Sequence, residues 1–200
     1  MSLGDESAVP QRRRGAALEN ALLDAAWTEL EEKGYAAFTI ESVAERARTS
    51  RAVIYRRWTT KPDLVRAAVG HAGRRERIEP PDTGSLREDV IELLRRANRS
   101  RARLGVTMTV QLAAYYAETG TGLAELRSEF LLGRGNAVDA LVARAVERGE
   151  VDPARLTPRV VGVPFDLFRQ ELLMTLKPVP DDVIISIVDE VFLPLVRRPA

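Results

Sequence analysis

The sequence predicts an all-α fold of about nine helices. Apolar residues recur at helical spacing (i, i+3, i+4, i+7) through most of the chain. No segment alternates apolar and polar residues with the period of two that a half-buried strand needs. The interruptions fall at Gly, Pro and Ser/Thr, placed as helix stops and starts.

Residues 1–15 are small and polar and end in a run of arginines, so they are expected to form a disordered arm. A first helix from Ala16 to Lys33 carries Leu22, Leu23, Ala26, Trp27 and Leu30 as its apolar stripe. Gly34 follows, suited to a left-handed cap. Thr39 opens a second helix, with Ile40, Val43, Ala44 and Ala47 on one face, and its hydroxyl can accept a bond from a first-turn amide. Ser42 stands where Glu would complete a capping box, so half of that box is present. After Arg48-Thr49, Ser50 can cap a third short helix anchored by Ile54 and Trp58. Arg51, Ala52, Tyr55, Arg56 and Arg57 are left facing outward. Thr59-Thr60-Lys61-Pro62-Asp63 announces a fourth helix, running to around Arg77. Helices this short nucleate poorly alone and must be held by packing.

Residues 79–85 (EPPDTGS) are a proline- and glycine-containing break, which divides a head over 16–78 from a second helical region over 79–200. Beyond it Leu86, Val90, Leu93, Leu94 and Ala97 line a helix whose outer face carries Arg87, Arg95, Arg96, Arg99, Arg101 and Arg103. Helices are expected over Val106–Glu118 and Leu123–Arg148, the latter loosened around Gly133 and Gly135. Thr157-Pro158 starts another, to about Leu176, and Pro180-Asp181-Asp182 opens the last. Both of these final helices are apolar over more than one face, wider than the stripe that one core requires. The surplus suits the centre of the monomer's own core or, as expected here, a homodimer built as a four-helix bundle.

Several function classes are excluded. There is no cysteine, so no disulfide, thiolate nucleophile or cysteine zinc site, which fits a cytoplasmic protein. A single histidine, His71, argues against a metal centre or a histidine-based triad. No stretch approaches a membrane span, and the N-terminal arginines precede no apolar signal region. Phosphate-binding, dinucleotide and nucleophile-elbow motifs are missing, so no catalytic residue, cofactor or metal is expected. The acid pairs Glu31-Glu32 and Asp181-Asp182 read as helix-end residues.

Charge points elsewhere. The formal net charge is only +1, yet from Arg46 to Lys61 every charged residue is basic: Arg46, Arg48, Arg51, Arg56, Arg57 and Lys61. A solvated face would interleave Glu with Arg. An acid-free block across a helix pair, its second member also aromatic and rich in small residues, suits the major groove of duplex DNA. The candidate DNA-binding residues are Thr39, Arg48, Ser50, Arg51, Ala52, Val53, Tyr55, Arg56, Arg57 and Lys61.

Residues 20–69 resemble the DNA-binding region of the TetR family of transcriptional regulators. The shared features are LLDAAWTEL, Lys33-Gly34-Tyr35, TIESVAERA, SRAVIYRRW and Lys61-Pro62-Asp63-Leu64-Val65; AVERGE at Ala145–Glu150 is a weaker likeness. The resemblance implies a three-helix helix-turn-helix head and a C-terminal ligand-binding and dimerisation domain. It implies a homodimeric repressor on a palindromic operator, released by a small molecule. By the same resemblance Thr39, Tyr55, Arg57 and Lys61 would contact phosphates, and Arg51, Ala52 and Val53 would face bases. Two residues depart from the family pattern. Arg48 stands where Gly is usual, which implies left-handed backbone strain or a different bend. Val53 stands where a hydroxyl is common, which shifts base reading toward apolar contact.

For an apolar or aromatic effector, the candidate lining is Met108, Gln111, Tyr115, Tyr116, Phe165, Phe168 and Arg169, residues that serve equally as an ordinary helical core. The rival reading is a helical small-molecule-binding protein with no role on DNA.

Overall fold

The computed structural model describes residues 15–75, 78–130 and 134–197, with side chains except at 101, 103, 127–130 and 134–136. Among these residues every regular element is helical. In chain order they are α1 (Ala16–Ala37), α2 (Ile40–Arg46), α3 (Arg51–Tyr55), α4 (Lys61–Arg75), α5 (Leu86–Val106), α6 (Ala113–Thr119), α7 (Leu123–Phe130), α8 (Arg134–Glu147), α9 (Pro158–Thr175), α10 (Asp181–Ser186) and α11 (Leu193–Val196). Two π-helical stretches, Thr107–Gln111 and Ile187–Phe192, and one 3-10 turn, Pro153–Arg155, complete the set. The all-α expectation holds. The expected arm, the arginines at 101 and 103 and the loosening near Gly133 fall outside the described side chains or residues.

Three local expectations are corrected. Gly34 does not end α1 in a left-handed cap. It sits inside the helix at φ 69°, ψ 170°, a kink from which helical bonding resumes to Ala37. The helix expected from Val106 is the end of α5 running into a π stretch, with α6 starting only at Ala113. A π turn leaves carbonyls without their ordinary partners. Here the Tyr116 hydroxyl donates to the Met108 carbonyl at 2.7 Å, and the Thr109 hydroxyl donates to the Gly105 carbonyl at 3.0 Å. Ser50 has extended N-cap dihedrals, yet its hydroxyl makes no cap bond. The Val53 amide it would serve already donates to the Ser50 carbonyl at 3.0 Å.

Packing crosses the compositional break. One core gathers Leu22, Leu30, Phe38, Val43, Ile54 and Leu64 from the head, and it is completed by Leu104, Met108, Leu112, Tyr115 and Leu126 from beyond residue 85. Accordingly α4 lies along α1, α1 meets the 107–111 stretch and α6, and α7 lies on α4. A second core brings Leu86, Val90 and Leu94 of α5 against Leu141, Phe168, Leu172, Ile184, Val188 and Phe192. The outer arginines of α5 are not free. Arg87 forks onto Asp189 with two 2.7 Å bonds, Arg95 onto Asp181 with two of 2.6 Å, and Arg96 and Arg99 share Glu92. Asp181, read as a helix-end charge, therefore also ties α10 to α5.

The break itself is pinned. The buried carboxylate of Asp89 accepts from the Thr83 amide at 2.7 Å and its hydroxyl at 2.9 Å. Glu150 accepts from the Leu86 amide at 2.7 Å, and Arg144 donates to the Pro81 carbonyl.

The Gly34 kink is the head's tightest joint. Its dihedrals lie in a region open essentially to glycine alone, and a Cβ there would stand 2.5 Å from Gln111 Oε1. Gly34→Ala should therefore destabilise the protein by about 2–3 kcal/mol. Urea unfolding would show this as a lower midpoint at unchanged slope.

Candidate nucleic-acid interface

The helix pair is set by its caps. Thr39, at φ −132° and ψ 153°, accepts from the Ser42 amide at 3.1 Å, the expected N-cap of α2. The Ser42 hydroxyl donates to the Thr39 carbonyl at 2.9 Å, which does not supply the acceptor for the Thr39 amide that the missing Glu of a capping box would provide. The turn closes through Arg48, whose φ of 53° puts an L-residue in the left-handed region. The strain anticipated for a side chain at this position is thus present, at about 1–2 kcal/mol. Helix α3 is a single turn held by the wholly buried Ile54, with Trp58 half-buried beside the first core. At the start of α4 the Thr60 hydroxyl accepts from the Asp63 amide at 3.2 Å, and Asp63 accepts from the Thr60 amide at 3.1 Å. This is a full reciprocal box.

These supports leave most of the candidate side chains open to solvent. Thr39, Arg48, Ser50, Arg51, Ala52, Tyr55, Arg56 and Arg57 are all exposed. Val53 is half-buried and packs against the first core, so less of it is open than of Ala52. Arg48 and Arg56 have no acidic partner among the described residues, and Arg57 only reaches the Val53 carbonyl at 3.3 Å.

The block that is acid-free in sequence is not acid-free in space. Arg46 Nε donates to Glu29 at 2.7 Å and its far end to Glu32, tying α2 to α1. Glu29 is buried. Burial pushes its carboxyl up, but bonds from Lys33, Arg46 and Ser42 outweigh this and hold it below the usual carboxylate range. Glu32, read as a helix-end acid, serves the same tie. Arg51 pairs with Glu41 of α2 at 2.6 Å. Lys61 is turned inward: its ammonium donates to the Tyr35 carbonyl at 2.7 Å and stands 4.0 Å from that ring's centroid. Desolvation pushes its pKa down, with the Glu118 carboxylate opposing. Sequence reasoning missed Glu41 and the inward Lys61 because neither pairing has a local signature.

The candidate effector residues fall into two groups. Met108, Tyr115 and Tyr116 belong to the head-facing core, where Tyr115 meets Tyr35 edge-to-face at 5.4 Å and Tyr116 at 5.8 Å. Burial pushes the Tyr116 phenol up to about 12. Gln111 abuts the Gly34 kink. Phe165 and Phe168 belong to the second core, and Arg169 is bound to Asp166 at 2.9 Å. The groups flank one close approach, where a Cβ on Gly105 would stand 3.1 Å from Leu172 Cδ2. An open pocket of about 380 Å³ lies elsewhere, lined by Ser85, Leu86, Arg87, Glu150, Leu193 and Arg197, and holds none of the seven.

Comparison with known proteins finds two family models along the chain. Residues 22–68 match the family model described as bacterial regulatory proteins, tetR family, and residues 80–191 match the tetracyclin repressor-like C-terminal domain. A DNA-binding transcriptional repressor TetR of Mycobacteroides abscessus is 32% identical over 94% of this chain and 98% of its own. An HTH-type transcriptional regulator of Mycobacterium tuberculosis is 30% identical over 90% of this chain and 88% of its own. Among solved structures, a TetR transcriptional regulator from Agrobacterium tumefaciens superposes with a TM-score of 0.66 at 19% identity, covering 92% of this chain and 96% of that one. FadR from Bacillus subtilis, in complex with stearoyl-CoA, gives 0.63 at 17% identity over 84% and 97%. No described helix is long and apolar enough to cross a membrane.

Relieving the turn should separate stability from binding. Arg48→Gly is expected to raise stability by about 1 kcal/mol, the left-handed strain less the added freedom of the unfolded chain. The same change removes an exposed cation and should lower affinity for any duplex. Urea melts and a DNA titration on one preparation check both.

Proposed function

The chain belongs to the TetR family of DNA-binding transcriptional regulators, and we propose that it is a repressor that binds a palindromic operator as a homodimer and leaves it when a small apolar or aromatic effector binds. The observation that carries the operator reading is the open surface around α3. There Arg48, Arg51, Arg56 and Arg57 surround the small Ala52 on a helix held from behind by Ile54. In this reading Arg51, Ala52 and the exposed part of Val53 meet base edges, the arginine by its paired donors and the alkyl groups by thymine methyls. Thr39, Tyr55 and Arg57 hold phosphates, with Arg48, Ser50 and Arg56 alongside. Lys61 joins them only by exchanging the Tyr35 carbonyl for a phosphate oxygen.

The second copy is supported by where apolar side chains stay exposed. Of seven large apolar side chains exposed among the described residues, four (Met174, Leu176, Val191 and Leu195, at 73%, 50%, 38% and 40%) lie at the end of α9 or along the last helical run. For the effector we favour the junction of the two groups near Gly105 and Leu172, which is closely packed as it stands, so a ligand would have to part α5 from α9. A ligand wedged there would press on Met108 and Gln111, which adjoin the head. The structural relative from Bacillus subtilis is in complex with stearoyl-CoA, whose acyl chain, though not its charged nucleotide part, is in keeping with an apolar effector. Release then follows from a population shift, by no more than the effector's preference for one spacing of the heads.

Selection of bound duplexes from a random pool should return a palindromic consensus; sequences without two-fold symmetry would overturn the dimeric operator. On that consensus Arg51→Ala should relax selection at one base pair per half-site. Arg57→Ala should weaken all duplexes alike and lower the salt slope by roughly one. Equal, uniform losses from both would refute the division of roles. Leu195→Glu should give a monomer by sedimentation with its helical content unchanged; a variant that still sediments as a dimer removes the last helix from the interface.

A further inference from the structure

Arg51, the first residue of α3, meets an acid that lies outside its own basic stretch. Its Nη1 donates to Glu41 Oε1 at 2.6 Å, joining α3 to the first turn of α2. Both side chains stay open, at 63% and 57% exposure, so the pair lies on the surface that the operator reading turns toward DNA. The bond from Arg51 holds the Glu41 carboxyl below the usual carboxylate range.

Folding gives this pair little reason to exist. An exposed ion pair contributes almost nothing to stability. The first turn of α2 would be served by Glu41 without any partner. On DNA, by contrast, Glu41 is a marked feature: a carboxylate among arginines, on a face meant for a polyanion. Its effect on Arg51 is geometric. A free arginine samples many rotamers and finds phosphates from most of them. The bond from Nη1 to Glu41 biases the guanidinium toward one orientation and leaves its Nε–Nη2 edge free to donate outward. Bidentate recognition of guanine O6 and N7 needs such a pair of donors at a set angle.

Building on the reading of Arg51 as a base-contacting residue, we propose that Glu41 is a specificity-determining residue, which aims Arg51 at a guanine and repels the phosphates of incorrect sites. Acting through Arg51, it is a positioning residue. It lowers affinity for DNA in general in order to raise the contrast between operator and other sequences.

The test compares the selected consensus duplex with a scrambled duplex of equal length, by fluorescence anisotropy over a salt series. The proteins are the full-length wild type, Glu41→Gln, Glu41→Asp, Arg51→Ala and the Glu41→Gln/Arg51→Ala double variant, each checked for helical content by circular dichroism. Glu41→Gln should tighten scrambled binding and steepen the salt slope, while the scrambled-to-consensus ratio of dissociation constants falls about tenfold. Glu41→Asp keeps the charge but withdraws the carboxylate by one methylene. Its salt slope should stay near wild type while the ratio still falls. In the Arg51→Ala background Glu41→Gln should leave the ratio unchanged. If Glu41→Gln tightens both duplexes by the same factor, Glu41 is merely a counter-charge and the proposal fails. If the wild type selects a consensus but Arg51→Ala leaves the ratio intact, the assignment of Arg51 to bases has failed first, and the proposal falls with it. Failure of the wild type to prefer any duplex would overturn the operator reading itself.

Discussion

The burial of the head against the end of α5 and against α6 is the interaction on which the rest of the structure depends. Helices of seven and five residues, α2 and α3, cannot nucleate or persist in water by themselves. Their own apolar faces supply Val43 and Ile54, but the core around these is completed by Leu104, Met108, Leu112 and Tyr115 from the other side of the chain's break. The head is therefore a surface feature of the whole protein. The same arrangement makes the route between domains short. Gln111 fills the space that glycine leaves at position 34, Tyr115 meets Tyr35 edge-on, and Lys61 caps Tyr35 from α4. Anything that moves the 107–116 segment moves atoms in contact with the base of the helix pair.

Electrostatics in the head divides its cations by task. Arg46 is committed to Glu29 and Glu32, where it locks α2 to α1 at the back of the pair. Lys61 is committed to the Tyr35 carbonyl. Arg48, Arg56 and Arg57 have no acidic partner among the described residues, with Arg51 intermediate because its partner is exposed. The usable charge is smaller than the run of basic letters suggests, and the dependence on salt should be correspondingly milder.

Features set by neighbours along the chain were legible in the sequence. The Thr39 cap, the Thr60–Asp63 box, the apolar stripes of α1 and α5 and the left-handed strain at Arg48 all follow from residue type and spacing. So did the helical class and, through fifty residues of matching motifs, the family. Features set by partners far along the chain were not. The Glu41–Arg51 and Lys61–Tyr35 pairs join residues whose separation carries no signal, and nothing local in sequence reports that Gln111, seventy-seven positions on, packs against Gly34. The effector residues were chosen for type alone, and type cannot say that Met108 and Phe168 belong to different cores.

Residues 79–85 carry two prolines, a glycine and little that is apolar, the composition of a cleavable tether. The folded chain gives that composition another meaning. The Pro81 carbonyl, the Thr83 amide and the Leu86 amide are each held by a side chain from α8, α5 or the turn after α8, and the Asp89 carboxylate beneath them is sealed from water. A protease must draw roughly ten residues of extended backbone into its cleft, and here those bonds would have to break first. The segment should thus resist nicking as long as the second core is intact. Its cutting would report the unfolding of α5 and α8, and not a loose hinge between two independent domains.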